Sequence, residues 1–249
     1  MKKILILIIL FLLSCESSDY GLDVNENVGT FAYYDNVAFA WEALIDTKYE
    51  DASIYFNLAL KDKIEPYHNS AHVGLGWTYL LYSNSLIGNN DLFQTYRDSI
   101  SDKFNYDVNE NPDAINRYIQ YCPHSFCCDT GDCFSKDRLL GKLIYDIENH
   151  YLFTPDPLNI NSYITNLEDF IINNPNYNLM DGKPTGTSGQ ILNIDINNVV
   201  VYLAQIYLKE SRFLDVCNLL NIHMMSCEDD CSDINMNSFL QCIQSFSSF

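Results

Sequence analysis

The sequence predicts an all-α fold. From Phe31 onward apolar residues recur at helical spacing, and polar turns and prolines bound these stretches. No Val-, Ile- or Thr-rich run alternates in the way a half-buried strand would. Successive stretches separated by short turns predict helical hairpins. The predicted hairpins lie near 31–62, 70–102, 135–173 and 194–222, and a last amphipathic helix lies near 235–246.

The first hairpin has the clearest pattern. Ala40 and Leu44 share one face of its first helix, and a turn follows near residue 47. Tyr49, Ala52 and Phe56 then recur at the spacing of an amphipathic second helix. The region therefore predicts a helix, a turn and a helix.

The other hairpins have recognisable boundaries. Ser70 and Ser135 are expected to cap the first helices of the second and third hairpins. Pro155 breaks the helix that starts near Ser135, and Asp195 is expected to begin the fourth hairpin. These signals predict that residues 31–249 form a single helical domain.

The N-terminus has the features of an export signal. Lys2 and Lys3 precede ten apolar residues, which are too few to span a bilayer as a helix. The segment ends in Leu12-Leu13-Ser14-Cys15, which resembles the bacterial lipobox. The resemblance implies that residues 1–14 are a signal peptide and that Cys15 receives a diacylglyceryl group.

The resemblance to lipoproteins also implies a location. A protein with several acyl chains on Cys15 would be held at the cell membrane or the outer membrane, outside the cytoplasm. Glu16, which is not the Asp associated with inner-membrane retention, favours the outer membrane by resemblance to enterobacterial sorting. Polar, acidic residues 15–30 are expected to form a flexible tether.

The charge balance limits the partners. Without Lys2 and Lys3 the chain has 12 basic and 33 acidic residues, a net charge of −21. Such a chain repels phosphate, so nucleic acid is excluded as a partner. The expected partners are the membrane, through the lipid on Cys15, and another envelope protein or peptide.

Eight further cysteines form two clusters of four. An even number of cysteines in an exported chain predicts disulfides, and pairing within each cluster is the simplest arrangement. The alternative is a four-thiolate zinc site, but the chain has no Cys-x-x-Cys spacing. The disulfide candidates are Cys122, Cys127, Cys128, Cys133, Cys217, Cys227, Cys231 and Cys242.

The hairpins resemble degenerate tetratricopeptide repeats. That family places a small residue in the first helix and an aromatic residue nine positions later, so that neighbouring helices approach closely. The resemblance implies a short solenoid, and a generic α-helical domain is the alternative. The matching residues are Ala40, Tyr49, Ala52 and Phe56, then Ala204, Phe213, Val216 and Leu220, with Gly76 and Gly141 as further small residues.

The two tryptophans occupy equivalent places in this repeat. Trp41 and Trp77 each follow the small residue, and Leu44 and Leu80 come three residues later. In the tetratricopeptide family this position faces a concave groove, so these four residues are candidates for a partner-binding groove. Alternatively, the tether or the last helix already fills the groove.

The sequence contains no recognisable catalytic motif. It has no serine-nucleophile, zincin or dinucleotide fingerprint. The Gly-rich loop Asp181–Gly189 differs from a phosphate-binding loop, because Pro184 follows Lys183 and no strand is predicted before it. We therefore expect no enzymatic activity, no cofactor and no metal.

These observations predict an interaction scaffold: a lipid-anchored envelope protein that binds another protein through a tetratricopeptide-like groove. One alternative is a lipoprotein that captures a nutrient or other ligand. Another is an assembly factor resembling the lipoprotein of the β-barrel assembly machinery.

Overall fold

The computed structural model describes residues 28–61, 69–86, 90–105, 134–153, 157–183 and 192–223. These residues form helices and no strand, which confirms the predicted all-α class for this part of the chain. The helices are α1 (Val28–Ile45), α2 (Tyr49–Ala59), α3 (Asn69–Ser85), α4 (Asn90–Phe104), α5 (Ser135–Leu152), α6 (Pro157–Asn173), α7 (Ile196–Lys209) and α8 (Phe213–His223).

Several predicted features lie outside the described residues. They are the signal segment with Cys15, seven of the eight disulfide candidates, most of the Gly-rich loop and the predicted last helix near 235–246. The predicted tether at 15–30 also lies outside, except for its last three residues, which belong to α1.

The helices pack mainly in chain order. Each contacts the next one along the chain, from α1 against α2 to α7 against α8. Among the first helices of the hairpins, α1 also contacts α3, and α3 contacts α5. α5 and α7 are not among the closely packed pairs of described helices.

Glycines let neighbouring helices approach around two phenylalanine rings. A Cβ atom on Gly76 or Gly141 would lie only 2.7 or 2.3 Å from atoms of the Phe104 ring. A Cβ on Gly74 would lie 2.1 Å from the Phe56 ring. Because such distances are far inside van der Waals contact, these positions require glycine unless the rings move. Phe104 therefore fills the space between α3 and α5.

The first and last hairpins have the same turn. Thr47 and Ser211 both have a φ of 59°, the left-handed conformation that often ends a helix. In each turn the following residue donates its amide to a carbonyl five residues earlier, from Lys48 to Ala43 and from Arg212 to Tyr207.

The start of α7 agrees with its sequence signal, whereas the start of α5 does not. Asp195 accepts hydrogen bonds from the amides of Asn197 and Asn198, which forms an N-terminal cap. Ser135, the expected cap of α5, is instead the first helical residue and follows Phe134. The capping prediction for Ser135 was wrong by one residue.

Candidate binding cleft

The four predicted groove residues are buried. Trp41 and Leu44 are 0% exposed, and Trp77 and Leu80 are 1% exposed. None of them can line an open groove for a partner, so this site prediction is corrected. All four residues belong to the hydrophobic core.

Neighbouring side chains explain this burial. The Trp41 ring packs edge-on against Phe56, and Trp77 packs in the same way against Phe104. The indole nitrogen of Trp41 donates to the Ser70 hydroxyl at 3.1 Å, so its polar atom is also satisfied. An indole whose ring is covered and whose N–H is bonded contributes to packing and is not available to a partner.

The segment that follows α6, the last helix of the third hairpin, also covers Trp41. Residues 174–183, here called the cover segment, place the ammonium group of Lys183 4.7 Å from the centre of the Trp41 ring. Backbone hydrogen bonds join Leu179 to Ile194 and Tyr177 to Ile196. The sequence had suggested the tether or the last helix as the filler; that helix and all but three residues of the tether lie outside the described residues.

A buried ion pair holds the cover segment in place. Lys183 donates to one carboxylate oxygen of Asp137 at 2.7 Å, and the Tyr177 hydroxyl donates to the other at 2.9 Å. The side chains of Lys183 and Asp137 are only 5% and 6% exposed. Burial raises the pKa of Asp137 above its ordinary value, although Lys183 and Tyr177 both act to lower it.

These interactions fit a structural role better than a catalytic one. Lys183 also donates to the carbonyl of Leu179, and the indole nitrogen of Trp77 donates to the Asp137 carbonyl at 3.0 Å. A polar cavity of about 280 Å³ adjoins the pair. Because Lys183 is already bonded to Asp137, it offers no free cation for a phosphate.

An open cleft lies where α5 and α7 stay apart. Its volume is about 920 Å³, within the range of ligand-binding cavities. The ends of α3 and α4 contribute to its wall. The described residues that line it are Asn84, Phe93, Glu148, Tyr151, Leu152, Tyr202, Gln205, Ile206, Leu208 and Lys209.

The negative charge of Glu148 at the cleft wall is paired within the protein. Arg97, 1% exposed, donates to one oxygen of Glu148 at 2.5 Å and to the side-chain oxygen of Asn149 at 2.6 Å. Asn84 donates to the other Glu148 oxygen at 3.0 Å. The Glu148 carboxylate at the cleft wall is therefore already neutralised by Arg97 and bonded through both oxygens.

Tyr151 and Lys209 meet at the edge of the cleft. The ammonium of Lys209 lies 3.7 Å from the centre of the Tyr151 ring, a cation–π contact. The Tyr151 hydroxyl donates to Glu210 at 2.8 Å. Burial, followed by the hydrogen bond and charge of Glu210, raises the pKa of Tyr151.

Two polar side chains of α7 line the cleft without a hydrogen bond to any other described residue. Within the described residues, neither the Tyr202 hydroxyl nor the Gln205 amide has a hydrogen-bond partner. Burial raises the pKa of Tyr202 well above its ordinary value, with a further contribution from the Glu148 charge. Tyr202 and Gln205 are three residues apart, so they lie on the same side of α7.

The sequence reasoning missed these cleft residues. One available signal was the composition of α7, whose apolar residues from Val199 to Leu208 exceed a single face. A helix of that kind needs contacts on more than one side. The Arg97–Glu148 pair had no comparable signal, because the two residues are 51 positions apart.

The described residues contain no other recognisable site. No three of their His, Cys, Asp or Glu side chains come together in a way that could bind a metal ion. None of the described helices is both long and apolar enough to cross a membrane.

The chain matches no family model, no curated protein and no solved structure.

Proposed function

We propose that this chain is a lipid-anchored envelope protein that captures a ligand in the α5–α7 cleft. The observation that carries the proposal is the cleft itself, with about 920 Å³ of space and largely apolar walls. Ligand sites are typically concave, mostly apolar and equipped with a few polar groups. The cleft has these properties, whereas the four predicted groove residues are buried.

The anchor is supported by sequence. The basic start, the apolar run and Leu12-Leu13-Ser14-Cys15 occur in the order of a lipoprotein signal. Lipid on Cys15 would place the cleft at a membrane surface outside the cytoplasm. The outer membrane is favoured by Glu16, as stated above.

A tetratricopeptide-like solenoid is part of the proposal. It is supported by the chain-order packing, by the glycines beside Phe104 and by the shared turn at Thr47 and Ser211. These two residues each lie seven positions after the small residue of their hairpin, Ala40 or Ala204. Equivalent turns at equivalent positions are what a degenerate repeat would retain.

Disulfides are proposed for the cysteine clusters. Cys217 is the one candidate within the described residues, where it is 1% exposed. Disulfides in the clusters would fit the oxidising location that the lipobox-like signal implies. The connectivity within the two clusters stays a prediction.

Ligand capture can be tested by recovering what the protein holds. The lipidated chain would be purified from envelopes, extracted with organic solvent and analysed by mass spectrometry. We expect a small molecule that is enriched with the wild type and lost with Gln205→Trp, which fills the cleft. Gln94→Trp, at an exposed glutamine of α4 outside the lining, should retain it.

The anchor has its own control in the same experiment. Cys15→Ser removes the lipid site, so this variant should leave the membrane fraction. A wild-type extract with no enriched molecule, or equal recovery from both tryptophan variants, would contradict ligand capture.

A protein-interaction scaffold is the second candidate. It is favoured by large apolar side chains exposed on outer helices: Ile54 is 57% exposed, Ile172 is 70% exposed and Ile222 is 75% exposed. Such residues are candidates for partner contacts when they form a patch. A photo-reactive residue at position 222 should crosslink one discrete protein, and one at position 94 should not. If Gln205→Trp leaves this crosslink unchanged, the result favours this candidate and the related assembly-factor role.

A further inference from the structure

We infer that the α5–α7 cleft selects a neutral, largely apolar molecule that carries at least one hydrogen-bonding group. This inference rests on the ligand capture proposed above and names the chemistry of the ligand.

The walls of the cleft determine the apolar body of the ligand. Phe93, Leu152, Ile206 and Leu208 contribute aromatic and aliphatic surface, and Tyr151 adds a ring at the edge. A bound molecule would remove this apolar surface from water, which favours binding. A strongly hydrated ligand would gain little from such walls.

Two polar groups that have no partner in the described part of the chain determine the polar part of the ligand. The Tyr202 hydroxyl can donate or accept, and the Gln205 amide offers two donors and an acceptor. Both residues line the cleft, and neither has a hydrogen-bond partner among the described residues. A carbonyl, hydroxyl or N–H group on the ligand would satisfy them.

The charges of the cleft favour a neutral ligand. Glu148 is already paired with Arg97, so it has no attraction left for a cation. Lys209 is the one cationic residue among the described residues that line the cleft, and its ammonium is already in contact with the Tyr151 ring. An anion would therefore lose its hydration for a single cation that is shared with an aromatic ring, in a chain whose net charge is strongly negative.

Two fluorescent probes with one aromatic framework test this selection. N-phenyl-1-naphthylamine is neutral and has one N–H group, and 8-anilinonaphthalene-1-sulfonate adds a negative charge. With the mature chain carrying Cys15→Ser, we expect saturable binding of the neutral probe and at least about tenfold weaker binding of the sulfonate. Gln205→Trp should abolish the binding of the neutral probe.

Conservative variants test the polar contacts. The double variant Tyr202→Phe/Gln205→Leu should weaken binding of the neutral probe by about three- to tenfold, the effect of one neutral hydrogen bond. The matched control Tyr55→Phe/Gln94→Leu changes the same residue types outside the cleft lining and should have no effect. Circular dichroism would show that all variants retain their helices.

The outcomes separate this inference from the proposed function. Equal or tighter binding of the sulfonate, or neutral-probe binding unchanged by either cleft variant, overturns the inference. A charged molecule recovered from envelopes and lost with Gln205→Trp would do the same while leaving ligand capture intact. If neither probe binds and no molecule is recovered, both proposals fail.

Discussion

The first helices of successive hairpins meet in two different ways. α3 and α5 pack closely, with Phe104 of α4 between Gly76 and Gly141. α5 and α7 stay apart, and Tyr151 and Tyr202 line the space between them. The same type of helix pair thus produces a closed interface in one place and a cleft in the other.

The difference follows from side-chain size. A glycine on each side lets the backbones approach until a single phenylalanine fills the remaining space. Two tyrosines at the second interface occupy room that the helices would otherwise share, and the Tyr202 hydroxyl, which has no hydrogen-bond partner among the described residues, would be costly to seal away. Similar helix pairs can therefore form a closed interface or an open cleft through local changes in residue size.

The largest expected effect on stability comes from removing the side chain that fills the closed α3–α5 interface. Phe104→Ala removes a ring that is 2% exposed and packed against Trp77. We expect a loss of about 4 kcal/mol in the free energy of unfolding, because the helices cannot fully collapse into the cavity. Urea denaturation followed by circular dichroism measures it.

Leu92→Ala is the control for this change. It lies on the same helix, but Leu92 is 44% exposed. Its effect should stay within about 0.5 kcal/mol. Equal losses for the two variants would show that Phe104 does not hold the closed interface together.

The next effect concerns the cover segment, whose Lys183 lies over the Trp41 ring. Lys183→Met leaves Asp137 buried without its cation, and we expect a loss of about 3 kcal/mol at pH 7. The pKa of Asp137, already raised by burial, should rise further without Lys183. Protonation favours the folded state of a carboxyl with a raised pKa, so the loss should shrink as the pH falls toward about 5.

The double variant Asp137→Asn/Lys183→Met tests the charge argument. Because it removes both charges, it should be more stable at pH 7 than Lys183→Met alone. A loss for Lys183→Met that is independent of pH, with no recovery in the double variant, would contradict an ionic role for the pair.

The smallest effect concerns the open interface. Glu210→Gln removes the charged acceptor of the Tyr151 hydroxyl, so the pKa of Tyr151 should fall but remain above 10, since burial is the larger cause. By contrast, the hydrogen bond to Glu50 is the main cause that raises the pKa of Tyr82 to about 12. Glu50→Gln should therefore return Tyr82 closer to 10 than Glu210→Gln returns Tyr151.

Carbon-13 NMR of the tyrosine Cζ atoms measures both pKa values, with Tyr151→Phe and Tyr82→Phe for assignment. A raised tyrosine pKa stabilises the fold below about pH 10, and this contribution is lost as the pH rises through the folded-state pKa. A pKa of Tyr151 that does not change in Glu210→Gln would contradict the assigned hydrogen bond.

Local signals in the sequence located much of the fold. Helical spacing placed the hairpin helices near their observed bounds, and Asp195 was correctly expected to begin α7. Gly76 and Gly141 were recognised as points of close helix approach, for which Phe104 supplies the physical reason. These features depend on residues a few positions apart, so they can be read from the chain itself.

The site was less predictable. The repeat register put Trp41 and Trp77 in equivalent places but did not reveal that Lys183, more than a hundred positions away from either, lies near Trp41. The cleft depends on α5 and α7 failing to pack. That outcome depends on several side chains from four helices, and no single segment encodes it.

The sequence by itself determined the helical class, the acidic surface and the features that predict an exported lipoprotein. These follow from periodicity, composition and a contiguous N-terminal motif. Only the tertiary structure decided that the tryptophans are buried and that a cleft opens between α5 and α7, because burial and empty space depend on which distant side chains meet.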